Sequence, residues 1–202
     1  MDVLFVNPNS SKKVYQDLAK DYSAIETPTW ALLLAQSCRS RGYKVDILDA
    51  DAERLSQEKA CERIRKLSPK LVCFVVYGQN PNSGTTNMAG AVDLAEAIKE
   101  EKIETTIGIV GSHVQSLPYQ VLNDEKSFDI IFLNEGVYAL WNLLAVDDLS
   151  DQSNLEKVKG IGFLKEDKPH LTPPEKVVPQ EKMDEHLPGY AWDLLPYDKN
   201  PL

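Results

Sequence analysis

The chain has 202 residues, 43% of them hydrophobic and 26% charged, with a formal net charge of −9. That length accommodates one sizeable domain plus an appendage, and the composition is ordinary for a soluble globular protein. The acidic balance argues against a nucleic-acid partner, which needs clustered Lys and Arg; the longest basic run, "RIRK" at 63–66, falls on a predicted helix face. No apolar run approaches the ~20 residues of a membrane span, and the start "MDVLFVNPNSSKK" lacks the basic region of a signal peptide. Cys38, Cys61 and Cys73, without a C-x-x-C pair, read as reduced core thiols of a cytoplasmic protein.

Residues 2–6, "DVLFV", form a first strand, ended by the turn chemistry of "NPNSS". "TPTWALLLAQSCRSRG" follows as a helix, with Thr27 as cap, Pro28 in the first turn and Gly42 as stop. Helical spacing puts Trp30, Leu33, Leu34 and Cys38 on its buried face. "YKVDIL" at 43–48 is a second strand, and "SQEKACERIRKL" at 56–67 a second amphipathic helix. "KLVCFVVYG" at 70–78 is a nearly unbroken β-branched and aromatic run, suited to a strand covered on both faces. A polar loop, "GQNPNSGTTN", leads to a helix that buries Met88, Ala91, Val92, Ala95 and Ile98. "TTIGIV" at 105–110 and "FDIIFL" at 128–133 are the fourth and fifth strands, and the helix "EGVYALWNLLAV" closes the series.

Strands alternating with helices predict an α/β fold: a doubly wound five-stranded parallel sheet, Rossmann or flavodoxin-like, over residues 1–146. Residues 147–202 read as a polar stretch, a hairpin around "KEDK" and a Pro-rich linker tail. In open α/β sheets, ligands bind beyond the carboxyl ends of the strands, where the strand order reverses. The segments expected there are "NPNS" (7–10), "YGQNPNSG" (77–84), "GSHVQSLP" (111–118) and "NEGV" (134–137). Their Gly, Asn and Ser residues allow close backbone approach and offer neutral donors and acceptors, which suits a large amide-bearing ligand better than a triphosphate.

Competing chemistry is poorly represented. Neither G-x-G-x-x-G after the first strand nor G-x-x-x-x-G-K-[ST] occurs. A receiver-type phosphorylation site would need acidic residues where Asn7, Pro8 and Asn9 stand. His113, His170 and His186 are far apart, and no G-x-S-x-G or His-Glu-x-x-His exists, so the chain by itself is not expected to be catalytic.

One resemblance accounts for these loops together. "NPN" after the first strand, "GIVGSHVQSLPYQVL", "FDIIFLNEG" and "HLPGYAWDLLPYDKN", in that order, resemble the N-terminal cobalamin-binding region of cobalamin-dependent radical S-adenosylmethionine enzymes. The similarity spans nearly the whole chain. It implies cobalamin contacts from Asn7, Pro8, Asn9, Tyr77, Gly78, Gln79, Gly111, Ser112, His113, Asn134, Glu135 and Gly136. Where that family commonly has Gly-Gly-x-His and Gly-Glu-Gly, this chain has Gly111-Ser112-His113 and Asn134-Glu135-Gly136, so altered contacts with retained binding are expected. The resemblance further implies a cis partner, a barrel with a [4Fe–4S] cluster and S-adenosylmethionine, and a parent enzyme of methyltransferase or cyclase type. The chain stops at Leu202 before any such motif, which leaves a truncated enzyme or a stand-alone carrier. A cofactor-free flavodoxin-like interaction domain is the alternative.

"DEHLPG" at 184–189 also fits D-x-H-x-x-G, by which another class of cobalamin proteins presents a histidine to cobalt. That motif belongs in the loop after the first strand, which here reads "NPNSSKK". His186 is therefore not expected to ligate cobalt, and cobalamin is expected to bind with its own base displaced and no histidine from below.

Overall fold

The computed structural model describes residues 1–10, 25–77 and 81–196, the last span without the side chains of 81–86. Apolar strand segments form one sheet: β1 (Val3–Asn7), β2 (Val45–Asp49), β3 (Leu71–Val76), β4 (Thr106–Gly111), β5 (Ile130–Phe132), β6 (Ile161–Lys165) and β7 (Lys168–Leu171). Their order across the sheet is β2-β1-β3-β4-β5-β6-β7. Strands β1 to β5 run parallel, and β6 and β7 join antiparallel at the β5 edge.

The expected hairpin is thus part of the sheet, which has seven strands instead of five. Phe132 and Ile131 pair with Ile161 and Gly162, so the hairpin covers what would otherwise be an open edge beside β5. Glu166 and Asp167, both at positive φ, make the tight turn.

Helices cover both faces. α1 (Thr29–Ser40), α6 (Val137–Leu144) and α7 (Gln152–Leu155) pack with Phe5, Phe132 and Phe163 on one face. α2 (Gln57–Leu67), α3 (Pro81–Glu100), α4 (Ser112–Ser116) and α5 (Pro118–Asp124) pack with Leu4, Phe74 and Ile109 on the other. The near-continuous apolar run of β3 follows from this, because all six of its residues are buried. Each fully buried Phe or Leu contributes roughly 1.5–3 kcal/mol.

Three local expectations are corrected. Pro28, not Thr27, stands at the α1 cap position, and no side chain caps that end. In α1 the buried position is Leu32, with Leu33 half-buried, and in α3 Leu94 is buried while Val92 is half-buried. Much of the expected polar loop after β3 is helical, since α3 starts at Pro81, a residue pre-set for a first helical turn. The three cysteines are free and buried, and burial pushes the Cys38 and Cys61 thiols up to about 12 and about 11 and Cys73 well above its ordinary value. They stay protonated and unreactive.

The segment after β7 is not a detached tail. It crosses the α1/α6 face through α8 (Met183–His186), and buries Val178, Ala191 and Leu195 there. Ser37 Oγ donates to the His186 carbonyl at 2.7 Å, and the Ala191 N–H donates to the Leu32 carbonyl at 3.3 Å. Trp192 packs against the same cluster. No helix among the described residues is long and apolar enough to cross a membrane.

Candidate functional site

The order β2-β1-β3-β4 makes β1/β3 the point where the chain switches direction across the sheet, and it is beyond the carboxyl ends at such a point that open α/β sheets form their ligand crevice. From β1 come Asn7 and Pro8, both buried, and half-buried Asn9. Ser10 staples this loop to α3: its hydroxyl donates to the Asn87 carbonyl at 3.1 Å and accepts from the Gly90 N–H at 3.1 Å. Only glycine fits at 90, because a Cβ there would lie 2.6 Å from the Asn9 carbonyl oxygen.

Tyr77 follows β3, and Gly111, Ser112 and His113 carry β4 into α4. Gly111 is extended, so its requirement is space: a Cβ would sit 2.3 Å from Val76 Cγ2 and 2.6 Å from the Val76 oxygen. Asn134, Glu135 and Gly136 link β5 to α6, with Gly136 at φ +88°, the left-handed conformation glycine tolerates. Gly78 and Gln79 lie outside the described residues.

Gln115 ties these loops together. Its Nε2 donates to Tyr77 Oη in a short hydrogen bond and to the Asn134 carbonyl at 2.7 Å, joining the ends of β3, β4 and β5. Trp30, at the start of α1, donates from Nε1 to the Glu135 carbonyl at 3.1 Å and lies against Tyr77 with ring centroids 5.5 Å apart. Sequence reasoning passed over Gln115 and put Trp30 in the core. Gln115 looked like any polar loop residue, whereas Trp30 sat at the first turn of a helix that must begin at the strand ends.

The side chains of Asn134 and Glu135 face inward to the chain, not outward to a ligand. Asn134 Nδ2 donates to the Glu175 carbonyl at 3.1 Å, and its Oδ1 accepts from the Gly136 N–H at 3.0 Å. Glu135 Oε1 accepts from the Val178 N–H at 2.5 Å. Burial raises the Glu135 carboxyl above its ordinary value, and the Val178 N–H partly offsets that. These residues hold the loop through the β7-distal segment, so what they present to the crevice is backbone.

Burial also pushes Tyr77 up to about 12, so its hydroxyl stays protonated. Because Gln115 fills an acceptor site on Tyr77 Oη, the hydroxyl hydrogen remains to be donated. With the Glu135 carboxylate committed to Val178, the rim combines an aromatic pair, a phenol donor, a carboxamide and backbone groups. Such a donor set fits a corrin, a broad apolar macrocycle fringed with neutral amides.

A sequence model described as the B12 binding domain matches residues 16–144, more than half of the chain. The chain belongs to that family. This B12-binding domain is 25% identical over 170 residues to anaerobic magnesium-protoporphyrin IX monomethyl ester cyclase of Cereibacter sphaeroides, an alignment covering 81% of the chain and 25% of the cyclase. Its fold matches the cobalamin-dependent S-adenosylmethionine radical enzyme OxsB with aqua-cobalamin bound: TM-score 0.69 at 16% identity, over 96% of this chain and 24% of OxsB. It also matches the radical S-adenosylmethionine methyltransferase TsrM of Kitasatospora setae with cobalamin and a [4Fe–4S] cluster bound: TM-score 0.62 at 17% identity, over 89% of this chain and 30% of TsrM. The B12-binding domain spans 24–30% of each of these proteins.

His186 of the domain lies away from the crevice. Its Nδ1 is 2.7 Å from Tyr138 Oη and its Nε2 is 3.3 Å from Glu185 Oε1, on the α1/α6 face. Its neighbours Tyr138 and Trp141 pack edge-on to the imidazole, which makes it a clamp for the C-terminal segment.

Two residues after Asp49, the B12-binding domain also carries a shifted acid. Burial, with Asp49 and Glu26 nearby, pushes the Asp51 carboxyl up to about 6 against an ordinary 3.8, and Arg54 opposes the shift. Between those values the folded protein holds a proton that the unfolded chain has released, so this group's contribution to stability falls as the pH rises from 3.8 to about 6. Asp51→Asn is expected to flatten that fall and to raise stability at pH 7 by about 1–2 kcal/mol, a figure discounted for partial solvent screening. Urea unfolding at pH 4 and pH 7 measures both; equal pH dependence in the two proteins would contradict it.

Proposed function

We propose that this chain binds one cobalamin in the crevice at the carboxyl ends of β1, β3 and β4, and serves as the cobalamin-binding module of a larger radical S-adenosylmethionine enzyme of methyl-transfer or cyclising type. The observation that carries the reading is the fastening of the strand-end loops into one uncharged rim by Gln115, Tyr77 and Trp30, in a member of the B12-binding domain family. The [4Fe–4S] cluster and S-adenosylmethionine would belong to a further domain in cis. OxsB and TsrM, of which this chain covers 24% and 30%, are proteins of that larger kind.

Cobalamin, when bound, supplies a methyl carrier or a partner for radical chemistry. The residues of this chain would do the holding. Trp30 and Tyr77 would present aromatic surface to the macrocycle, and Tyr77 would donate its hydroxyl hydrogen to a peripheral amide. Backbone groups at Gly111 and Gly136 would face it. Asn7, Pro8 and Asn9 would bound the crevice on the β1 side, held there by the Ser10 staple to α3. His113 would stand in the first turn of α4, and Gly78 and Gln79 would complete the β3 loop.

The test is reconstitution of the purified chain with hydroxocobalamin, followed by desalting. Retention of about one corrin per chain by visible absorbance is expected, as a one-site reading requires. In the cob(II)alamin form, the electron paramagnetic resonance spectrum should lack nitrogen superhyperfine coupling. A chain that desalts colourless would favour a cofactor-free interaction domain, and resolved nitrogen coupling would contradict the base-displaced arrangement.

A further inference from the structure

Asn7 and Asp49 are register partners at the last positions of the adjacent parallel strands β1 and β2. Asp49 is fully buried, and its Oδ1 accepts from Asn7 Nδ2 at 2.8 Å and from the Ala52 N–H at 3.1 Å. The Ala52 N–H can only donate, so the Asp49 oxygen that it shares with Asn7 is an acceptor, and the nitrogen end of the Asn7 amide faces it. A carboxamide carries its nitrogen and oxygen on opposite flanks. With Nδ2 held toward β2, Oδ1 is turned toward β3, where the crevice opens. Asn7 is only 7% exposed, so its amide does not exchange ends by rotating into water. The loop cannot slide to offer another group either, because Ser10 is fastened to α3.

We propose that Asp49 is a positioning residue: it fixes the flip of the Asn7 amide so that a hydrogen-bond acceptor faces the cobalamin crevice, and so selects an N–H or O–H donor on the ligand. This rests on the cobalamin reading above and adds to it the polarity of one contact. The peripheral carboxamides of the corrin supply such N–H donors. An anionic ligand group would meet an acceptor and be disfavoured at this point.

The experiment is equilibrium titration of the full chain with hydroxocobalamin, with thermal melts to confirm folding. Asp49→Ala removes the oxygen that holds Asn7 Nδ2, so nothing fixes which end of the Asn7 amide faces the crevice. Affinity is expected to fall about tenfold, the effect of losing a set acceptor toward the ligand. Asp49→Asn keeps one Oδ1 for both the Ala52 N–H and Asn7 Nδ2, preserves the flip, and is expected to bind within about twofold of the parent chain.

A role limited to structure predicts a lower melting point for Asp49→Ala with unchanged affinity in the folded chain. That result overturns the proposal, as does an Asp49→Asn variant that folds but binds no better than Asp49→Ala. Should Asp49→Ala not fold, Asn7→Ala reads the same contact by removing the acceptor; a loss of about tenfold is expected, and unchanged affinity overturns the proposal. A parent chain that binds no cobalamin at all overturns the cobalamin reading itself, an outcome distinct from any difference among the variants.

Discussion

Gly111→Val is expected to destabilise the protein by about 3 kcal/mol and to abolish retention of cobalamin on desalting. The Val76 oxygen, 2.6 Å from where a Cβ would stand, belongs to the neighbouring strand and cannot swing away as a flexible side chain would. Relief requires β3 and β4 to separate at their carboxyl ends, an overpacking strain worth 1–3 kcal/mol or more. Separation also pulls Tyr77 from Gln115, and with it the fastening of three loops. A thermal melt and the desalting assay read the two consequences separately. A valine variant that melts with the parent and keeps its corrin would show that the two strand ends are not rigidly apposed.

Removal of residues 175–202 is expected to cost about 3–5 kcal/mol, the burial of a few apolar side chains less the ordering of their backbone. Val178, Ala191 and Leu195 leave the α1/α6 face, as do the half-buried Leu187, Trp192 and Leu194. The bidentate Arg39–Asp193 pair goes too, but it is largely exposed and adds little. At 2–4 °C per kcal/mol for a chain of this size, the midpoint should drop by about 10 °C. The site should loosen as well, because Asn134 loses the Glu175 carbonyl and Glu135 loses the Val178 N–H. Glu135 would then hold a half-buried carboxylate without its backbone donor. An unchanged midpoint would mean that the segment is an appendage after all, and would undo its role as a buttress of the β5–α6 loop.

That buttress marks the limit of what the sequence could say. The strands were legible because burial on both faces demands apolar runs such as "LVCFVV", and the loops at their ends because turn chemistry interrupts those runs. The hairpin was legible from its turn, but its pairing with β5 was not, since register between distant strands leaves no local trace. The start of α3 was hidden by "PNSGTTN", a string that reads as loop unless Pro81 is taken as a first-turn residue. Position alone put Asn7 and Tyr77 at the ends of β1 and β3, where they stand. Gln115 was missed because a residue that bridges three loops looks, in sequence, like any polar residue of one. Asn134 and Glu135 were read as ligand-facing from their place after β5, and only the course of the C-terminal segment shows their side chains turned inward.

At the end of β4 opposite to the rim lies another concavity. A cleft of about 380 Å³ opens at the opposite, amino end of β4, lined by Lys99, Thr105, Lys126, Phe128, Asp129 and Phe163. Lys99 is already paired with Asp129 there, at 2.7 and 2.8 Å. Topology favours the carboxyl ends as the place for a large cofactor, and volume alone does not decide between the two.

Amide hydrogen exchange of the full chain with and without hydroxocobalamin separates them most directly. Slowed exchange is expected at 7, 9, 10, 77, 111–116 and 134–136, with Thr105, Thr106 and Asp129 unaffected. Protection centred on the amino-end cleft, or no protection at the strand-end loops in a chain that retains its corrin, would contradict it.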